Sequence, residues 1–255
     1  MDFASALRAR RTRRRMSQLE LAVRAGTTQR HVSFMESGRS APGRAMVVRL
    51  AESLELPLRE RNELLLTAGF APAYPQTSLD DTRLAPVMTA LTHILNGHMP
   101  FPAIVVDRYG DIIAHNAAFP VLIGAVAPQL LDKPMNAYRI ALHPKGMAPR
   151  IGNFAAWARH VTERLHQESV RNPDPRLTEL ATELDAYLPD IALPDDHLGF
   201  AVPLELGDLR LTTTVTTFAT AVDITIAELK LEAFLPADAK TAEALRSFAW
   251  PSPTT

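Results

Sequence analysis

The tightest constraint on this chain is a run of starts and stops between residues 17 and 38. Ser17 has the chemistry of a helix N-cap, and Glu20 three residues on completes a capping-box pattern. Leu19, Leu21, Ala22 and Ala25 give that helix, Gln18–Ala25, an inward side. Gly26 ends it, because a tight helix end wants a residue that tolerates positive φ. Thr28 can cap a second helix running to about Glu36, and Gly38 stops that one. Helices this short cannot bury themselves, so they need further helices to close a core. The sequence supplies them. Phe3–Arg15 puts Phe3, Ala6, Leu7 and Arg10 on one side. After the break at SAPG, Arg44–Leu54 spaces Val47, Val48, Leu50, Ala51 and Leu54 helically, and Pro57 opens a fifth helix through Leu64, Leu65, Leu66 and Ala68. The expectation is an all-α, five-helix unit over residues 1–71 with a helix-turn-helix at its centre.

The second of the paired helices is oddly polar. Gln29, Arg30, His31 and Ser33 crowd its first turns, while Val32 and Met35 are its aliphatic anchors. Charge gives this a direction. The chain's net charge of −1 conceals an asymmetry. Residues 1–71 hold 13 arginines and no lysine against 7 acidic residues, a net of +6, and the remainder carries −7. A basic N-terminal third on an acidic body suits one domain that meets a polyanion and another that does not.

The spacing from Gln18 through Gly26 to Glu36 is that of a helix-turn-helix, whose second helix lies in the DNA major groove. On the stretch QLELAVRAGTTQRHVSFMESGR the sequence resembles the Xre family of regulators, which includes the lambda-type repressors. That resemblance, over about 60 residues, implies roles. Gln18 would contact the DNA backbone. Thr28, Gln29, Arg30 and Ser33 would stand on the reading helix, with Gln29 and Arg30 reaching base edges. Glutamine can pair bidentately with adenine and arginine with guanine. Arg39 and Arg44 would meet phosphates or the minor groove. Arg11 and Glu36 match a pair that is a salt bridge in relatives, and Phe34 departs from the polar residue often found there.

Residues 72–83, most of them in GFAPAYPQTSLDD, read as a linker. Beyond it the texture changes. A helix over about Leu84–Asn96 leads to PAIVVDRYGDIIAHN, two apolar runs around an Arg-Tyr-Gly-Asp turn, hence a hairpin. Asn153–Leu188 is helical by period, with a break at Asn-Pro-Asp-Pro. Strands are then expected at Gly199–Leu206, Leu209–Phe218 and Ala221–Leu231, and a closing helix after Pro236. The fold class is therefore two domains: the five-helix, lambda-repressor-like unit, and an α+β unit at residues 84–255 with an antiparallel sheet and helices gathered on one side.

PAIVVDRYGDIIAHNAAF resembles the opening strands of a PAS domain, with Asp107 ending the first strand and Asn116 capping the following helix. YRIALHPKGMAPRIGNFAAW and the late TTTVTTFATAVDITIAELKLEAFLPAD resemble the C-terminal domain of MmyB-like regulators. That family couples an Xre-type helix-turn-helix to a PAS-like ligand-binding domain. It implies a lipid-like or fatty-acid-like ligand. Ile104, Val106, Ile112, Phe119, Phe154, Val215 and Phe218 are the candidate wall. Arg139, His143, Arg150 and Asn153, with Trp157 nearby, are the candidate head-group contacts, since a guanidinium fork matches a carboxylate.

An enzyme is the rival class. The eight histidines are scattered, with no HExxH, and cysteine is absent, so a zinc site is not expected. No GxGxxG or P-loop occurs. Ser78, Ser169, Ser247 and Ser252 are the serines after residue 71, and none lies in an expected strand facing a lysine, so lambda-type self-cleavage is not expected. The acidic pairs Asp80-Asp81 and Asp195-Asp196 read as caps and solvated loops. No apolar stretch follows RARRTRRR and no membrane-length run exists, so the expectation is a cytoplasmic protein with no membrane partner, no metal and no cofactor beyond the fatty-acid-like ligand. The expected partners are double-stranded operator DNA, a small molecule and a second copy of the chain, since two-fold symmetry matches a palindrome. The alternative is a ligand-free regulator whose C-terminal domain only dimerises or binds protein.

Overall fold

The computed structural model describes residues 2–124, 126–171, 173–188 and 202–248. The chain forms two compact units. One comprises residues up to Ser78 together with Ala219–Ala227. The other comprises Leu79–Phe218 and the chain from Glu228 on.

The first unit carries the five expected helices: α1 (Phe3–Arg13), α2 (Gln18–Arg24), α3 (Gln29–Glu36), α4 (Arg44–Ser53) and α5 (Leu58–Thr67). The starts are set by side-chain caps. Asp2 accepts from Ser5 N–H, Ser17 from Glu20 N–H, and Thr28 from His31 N–H. Gly26 and Gly38 take positive φ of 61° and 72° where α2 and α3 stop. The expected box at Ser17 is made in one direction, because the Glu20 carboxylate pairs with Arg24 at 3.0 Å. Leu7, Leu21, Val32, Met35, Leu50 and Leu64 form the core, each with no exposed surface.

Two further pieces complete this unit. The linker lies along α5: the Asn62 amide donates to Tyr74 O at 2.7 Å, and its oxygen accepts from Ala73 N–H and Tyr74 N–H at 2.9 and 3.0 Å. Ala219–Ala227, ending in the short helix α11 (Ile224–Ala227), joins the same side and packs on α5. Asp223 accepts from the Thr77 hydroxyl at 2.6 Å and from Thr77 N–H at 3.1 Å, and Ile224 N–H donates to Pro75 O at 2.8 Å. Ile224 and Ile226 are buried. A strand was expected across Ala221–Leu231. Instead Asp223 accepts from Thr225 N–H at 2.8 Å, which starts a helical turn, and the strand begins at Lys230.

The second unit runs α6 (Ala85–Gly97), β1 (Ala103–Val106), β2 (Ile112–His115), α7 (Pro120–Ile123), α8 (Ala137–Leu142), α9 (Phe154–Arg171), α10 (Pro175–Asp185), β3 (Leu204–Leu206), β4 (Leu209–Thr217), β5 (Lys230–Pro236) and α12 (Ala239–Ser247). Its five strands make one sheet in the order β2-β1-β5-β4-β3, each neighbouring pair antiparallel. This is the antiparallel α+β architecture expected. Of the third expected strand, residues 199–201 lie outside the described residues, as do Asp195 and Asp196.

Strand alternation sorts the sheet's faces. Ile104, Thr213, Val215, Lys230, Glu232 and Phe234 share the face toward α8 and α9, and Val105, Leu231 and Ala233 take the other. The hairpin turn is tight. Asp107 follows β1 and its carboxylate accepts from Tyr109 and Asp111 N–H at 2.8 and 2.9 Å. Gly110 sits at φ 81° with the Tyr138 ring where a side chain would start. Asn116 does not cap the following helix as expected. It is buried, donates to Leu95 O and Phe101 O, and accepts from Ala103 N–H, so it ties the end of α6 to β1. Among the described residues no helix is long and apolar enough to cross a membrane.

Candidate nucleic-acid interface and ligand cavity

α3 gives one side to the core and one to solvent. Val32 and Met35, three residues apart, are fully buried. Gln29 and Arg30 are exposed and Ser33 is half-buried. The Thr28 hydroxyl is committed to its cap at 3.1 Å, and Thr27 Oγ1 lies 2.9 Å from His31 Nδ1, which turns that ring back onto the connection. The heads left facing outward are therefore Gln29, Arg30 and Ser33. Phe34 is half-buried, and the guanidinium carbons of Arg30 and Arg39 stand 5.1 and 5.9 Å from its ring centre. The ring is a shelf under two cations. Arg44 is exposed at the start of α4. Among the described residues, Arg30, Arg39 and Arg44 take part in no ion pair.

Beneath α3 lies the pair that the family resemblance implied. Arg11 donates to both Glu36 oxygens at 2.6 and 2.9 Å and to Met16 O at 2.7 Å. Gln18 Nε2 donates to the same carboxylate at 2.8 Å. Burial pushes the Glu36 carboxyl up, but hydrogen bonds from Arg11 and Gln18 and the charges of Arg11 and Arg8 outweigh it and hold the group below the usual carboxylate range. Gln18 thus ties α2 to the end of α3.

The second unit holds a cavity of about 530 Å³ between the sheet and helices α8 and α9, a volume ordinary for a small-molecule site. Ile104, Phe119, Leu122, Ile140, Trp157 and Phe234 form its apolar wall. Four of the expected wall residues need revision. Val106, Ile112 and Phe154 belong to the surrounding core and Phe218 follows β4, and none of the four lines the cavity. The polar lining is of a different kind from that expected. It comprises Tyr138, Thr213 and Glu232 together with His160, Arg164, Glu168 and Lys230. Burial pushes the Tyr138 phenol up, with the Glu232 charge adding to it. Burial also raises the Glu232 carboxyl, against the charges of Arg164 and Lys230. Thr213 Oγ1 is buried without a hydrogen-bond partner among the described residues.

Residues 87–248 match the MmyB-like transcription regulator ligand binding domain, well over half of the chain. The protein belongs to the MmyB-like family. Residues 7–61 match a helix-turn-helix family, so this MmyB-like chain is a transcriptional regulator with a helix-turn-helix DNA-binding domain and a ligand-binding domain. It is similar to the "Uncharacterized HTH-type transcriptional regulator y4dL" of Sinorhizobium fredii (strain NBRC 101917 / NGR234), 44% identical over 52 residues, which are 20% of this chain and 26% of that relative. The match spans about a quarter of the relative's length.

Of the five candidate ligand contacts in this MmyB-like domain, Trp157 lines the cavity. The other four are engaged by the protein itself. Arg139 forks onto Glu183 at 2.7 and 2.8 Å, and Tyr187 OH donates to the same carboxylate. His143 meets the Tyr187 ring edge-on, 5.0 Å between centres, and accepts from Lys145 N–H. Arg150 donates to Leu122 O and Ile123 O at 3.0 and 3.2 Å. Asn153 holds β3, donating to Pro203 O and accepting from Glu205 N–H. Sequence reasoning missed Tyr138, Thr213 and Glu232. A signal was present for Glu232: it shares strand parity with Phe234, an acid on the inward side of KLEAF.

Proposed function

We propose that this regulator reads an operator in double-stranded DNA through α3, and that a small, lipid-like molecule in the cavity sets that binding. Gln29 and Arg30 read base edges. Ser33, one turn on, reaches a base or a phosphate, and Arg39 and Arg44 hold the DNA backbone. Thr28 acts by fixing the start of the helix. Gln18 acts through Glu36 and, with α2, sets the reading helix's position. Two copies of the chain bind a two-fold site.

The observation that carries this reading is the cavity: the unit that belongs to a ligand-binding family has an apolar-walled space of about 530 Å³ beside its sheet. A domain kept only for dimerisation has no need of such a space, because cores otherwise pack nearly without voids. A lipid-like ligand follows from the aliphatic and aromatic wall. Arg139, His143, Arg150 and Asn153 shape the wall from behind and touch no ligand.

The test has two arms. The purified protein is measured against a genomic fragment library for sequence-selective DNA binding, and native mass spectrometry reads its mass and any retained molecule. A selected operator, a dimeric mass and a released apolar metabolite that shifts operator affinity support the proposal. Binding that is equal on all fragments, or an operator affinity blind to every released molecule, overturns it.

A further inference from the structure

The reading helix carries one large apolar side chain that no core claims. Val32 and Met35 of α3 face inward, whereas the half-buried Phe34 shares the outer side with Arg30, four residues before it. At 3.6 residues per turn the two stand only about 40° apart around the helix. Among the described residues, Phe34 is neither in the first unit's core nor packed against it. Over its ring stand the guanidinium groups of Arg30 and Arg39. Arg39 is tied to Phe34 at both ends. Gly38 turns the chain back at φ 72°, Arg39 N–H donates to Phe34 O at 2.8 Å, and the Arg39 side chain returns over the Phe34 ring. Stability gives no reason for a phenyl here, because an exposed helix face is otherwise polar and a ring left partly in water forgoes burial.

We infer that Phe34 is a positioning residue of the DNA interface: its ring holds the Arg30 guanidinium ready for one base edge, and that of Arg39 ready for the DNA backbone, before DNA arrives. This rests on Arg30 reading a base. Ordering a long side chain on binding costs affinity, and an arginine fork reads a guanine only when its plane meets the base edge. A guanidinium already laid against a ring has part of that ordering done. An aromatic partner suits the task where an acid does not. Glu36 holds Arg11 by taking its N–H groups, which is how an arginine is retired to structure. A ring attracts the cation through its quadrupole and leaves all five N–H donors, and the full charge, for DNA. The contact can prepay no more than it is worth, about two- to fivefold in affinity for each arginine.

The experiment uses the full-length protein and a randomised double-stranded DNA library, with the bound fraction sequenced to give a preference at each position. Phe34→Leu keeps an apolar side chain and removes the ring, and Phe34→Tyr keeps the ring. Phe34→Leu is expected to lower the preference at one base pair, the pair that Arg30→Ala relaxes, by about two- to fivefold, and to weaken all sequences by a similar factor through Arg39. Preferences at the other positions should stand, Phe34→Tyr should keep the wild-type profile, and Phe34→Leu added to Arg30→Ala should change that pair no further. A wild-type profile in Phe34→Leu, a Tyr variant as impaired as the Leu variant, or preference lost equally at every position overturns the inference while base reading stands. If the wild-type protein selects no sequence, the base-reading proposal falls and the inference with it. The free wild-type protein gives a readout that needs neither DNA nor a variant. By nitrogen-15 relaxation, the Arg30 and Arg39 Nε–H groups should be more ordered than that of the exposed Arg44, which has no ring beneath it among the described residues. An Arg30 Nε as mobile as that of Arg44 overturns the inference, however the variants fold.

Discussion

Removing the Glu36 carboxylate should unseat the reading helix. The Glu36 side chain is 3% exposed and that of Arg11 13%, so Glu36→Ala strands a cation in the core and releases the amide of Gln18. Breaking one partner of a buried pair costs about 3–5 kcal/mol. Arg11 keeps its hydrogen bond to Met16 O and some contact with water, which places the cost near the lower end, about 3 kcal/mol. Both tryptophans follow Ser78 and lie outside residues 219–227, so tryptophan fluorescence is blind to this unit. Native-state amide exchange at Val32 and Met35, buried in α3, reads its opening directly. Exchange there should accelerate by roughly two orders of magnitude. Replacing both partners with apolar residues, Arg11→Met with Glu36→Leu, should recover most of the loss, because no charge is then stranded. An effect of Glu36→Ala below about 1 kcal/mol, or a double variant no better than the single one, refutes the reasoning. The pH dependence has a definite sign. The folded Glu36 carboxyl is held below its ordinary value of 4.5, so the unfolded chain binds more protons between the two values. The pair's contribution is therefore fully present above the ordinary value, and it is lost as pH falls through the lower, folded one.

Arg30→Ala should lose about 1–3 kcal/mol on the operator and relax one base position, whereas Arg39→Ala should weaken all sequences alike and flatten the salt slope by about one unit. Equal weakening on every sequence by both variants would remove Arg30 from base reading. Asp223→Ala deletes the acceptor of Thr77 N–H, the Thr77 hydroxyl and Thr225 N–H. It should cost the first unit about 2 kcal/mol and abolish exchange protection at the Thr77 amide, and a Thr77 amide as protected as before would contradict the contact. Gly110→Ala needs an unfavourable φ and drives a methyl into the Tyr138 ring. A loss of at least about 2 kcal/mol is expected from thermal unfolding followed by Trp157 fluorescence, and an unchanged midpoint would refute it.

How much could be read in advance follows from the range of the interactions. The helices of the first unit were legible because caps and stops are local: Ser17, Thr28, Gly26 and Gly38 act within a few residues of themselves. The hairpin was legible for the same reason, through Asp107 and Gly110. The expected strand at Ala221–Leu231 failed on a competition that period alone does not resolve. VDITI alternates as a strand should, yet Asp223 caps a helical turn and Ile224 and Ile226 are buried in the other unit. The head-group candidates illustrate a different point. Arg139 looked free because its partner, Glu183, is 44 residues away on α10. An arginine is available to a ligand only if no acid folds onto it, and that is a tertiary fact. Glu232 announced itself by strand parity, but its significance depends on the space in front of it, which no local pattern encodes.

The first unit is discontinuous in sequence: it ends at Ser78 and resumes for Ala219–Ala227. A ribosome therefore makes the reading helix early and the piece that completes its domain late. At about 5–20 residues per second, roughly 7–30 seconds of synthesis separate Ser78 from Ala219, while the side of α5 that receives Ile224 and Ile226 has nothing to cover it. The same holds for a gene fragment cut at the linker, which would encode every residue proposed to contact DNA and still lack residues 219–227. Carrying residues 219–227 back to a shortened chain, as a fused segment or a separate peptide, is the way to make this DNA reader portable.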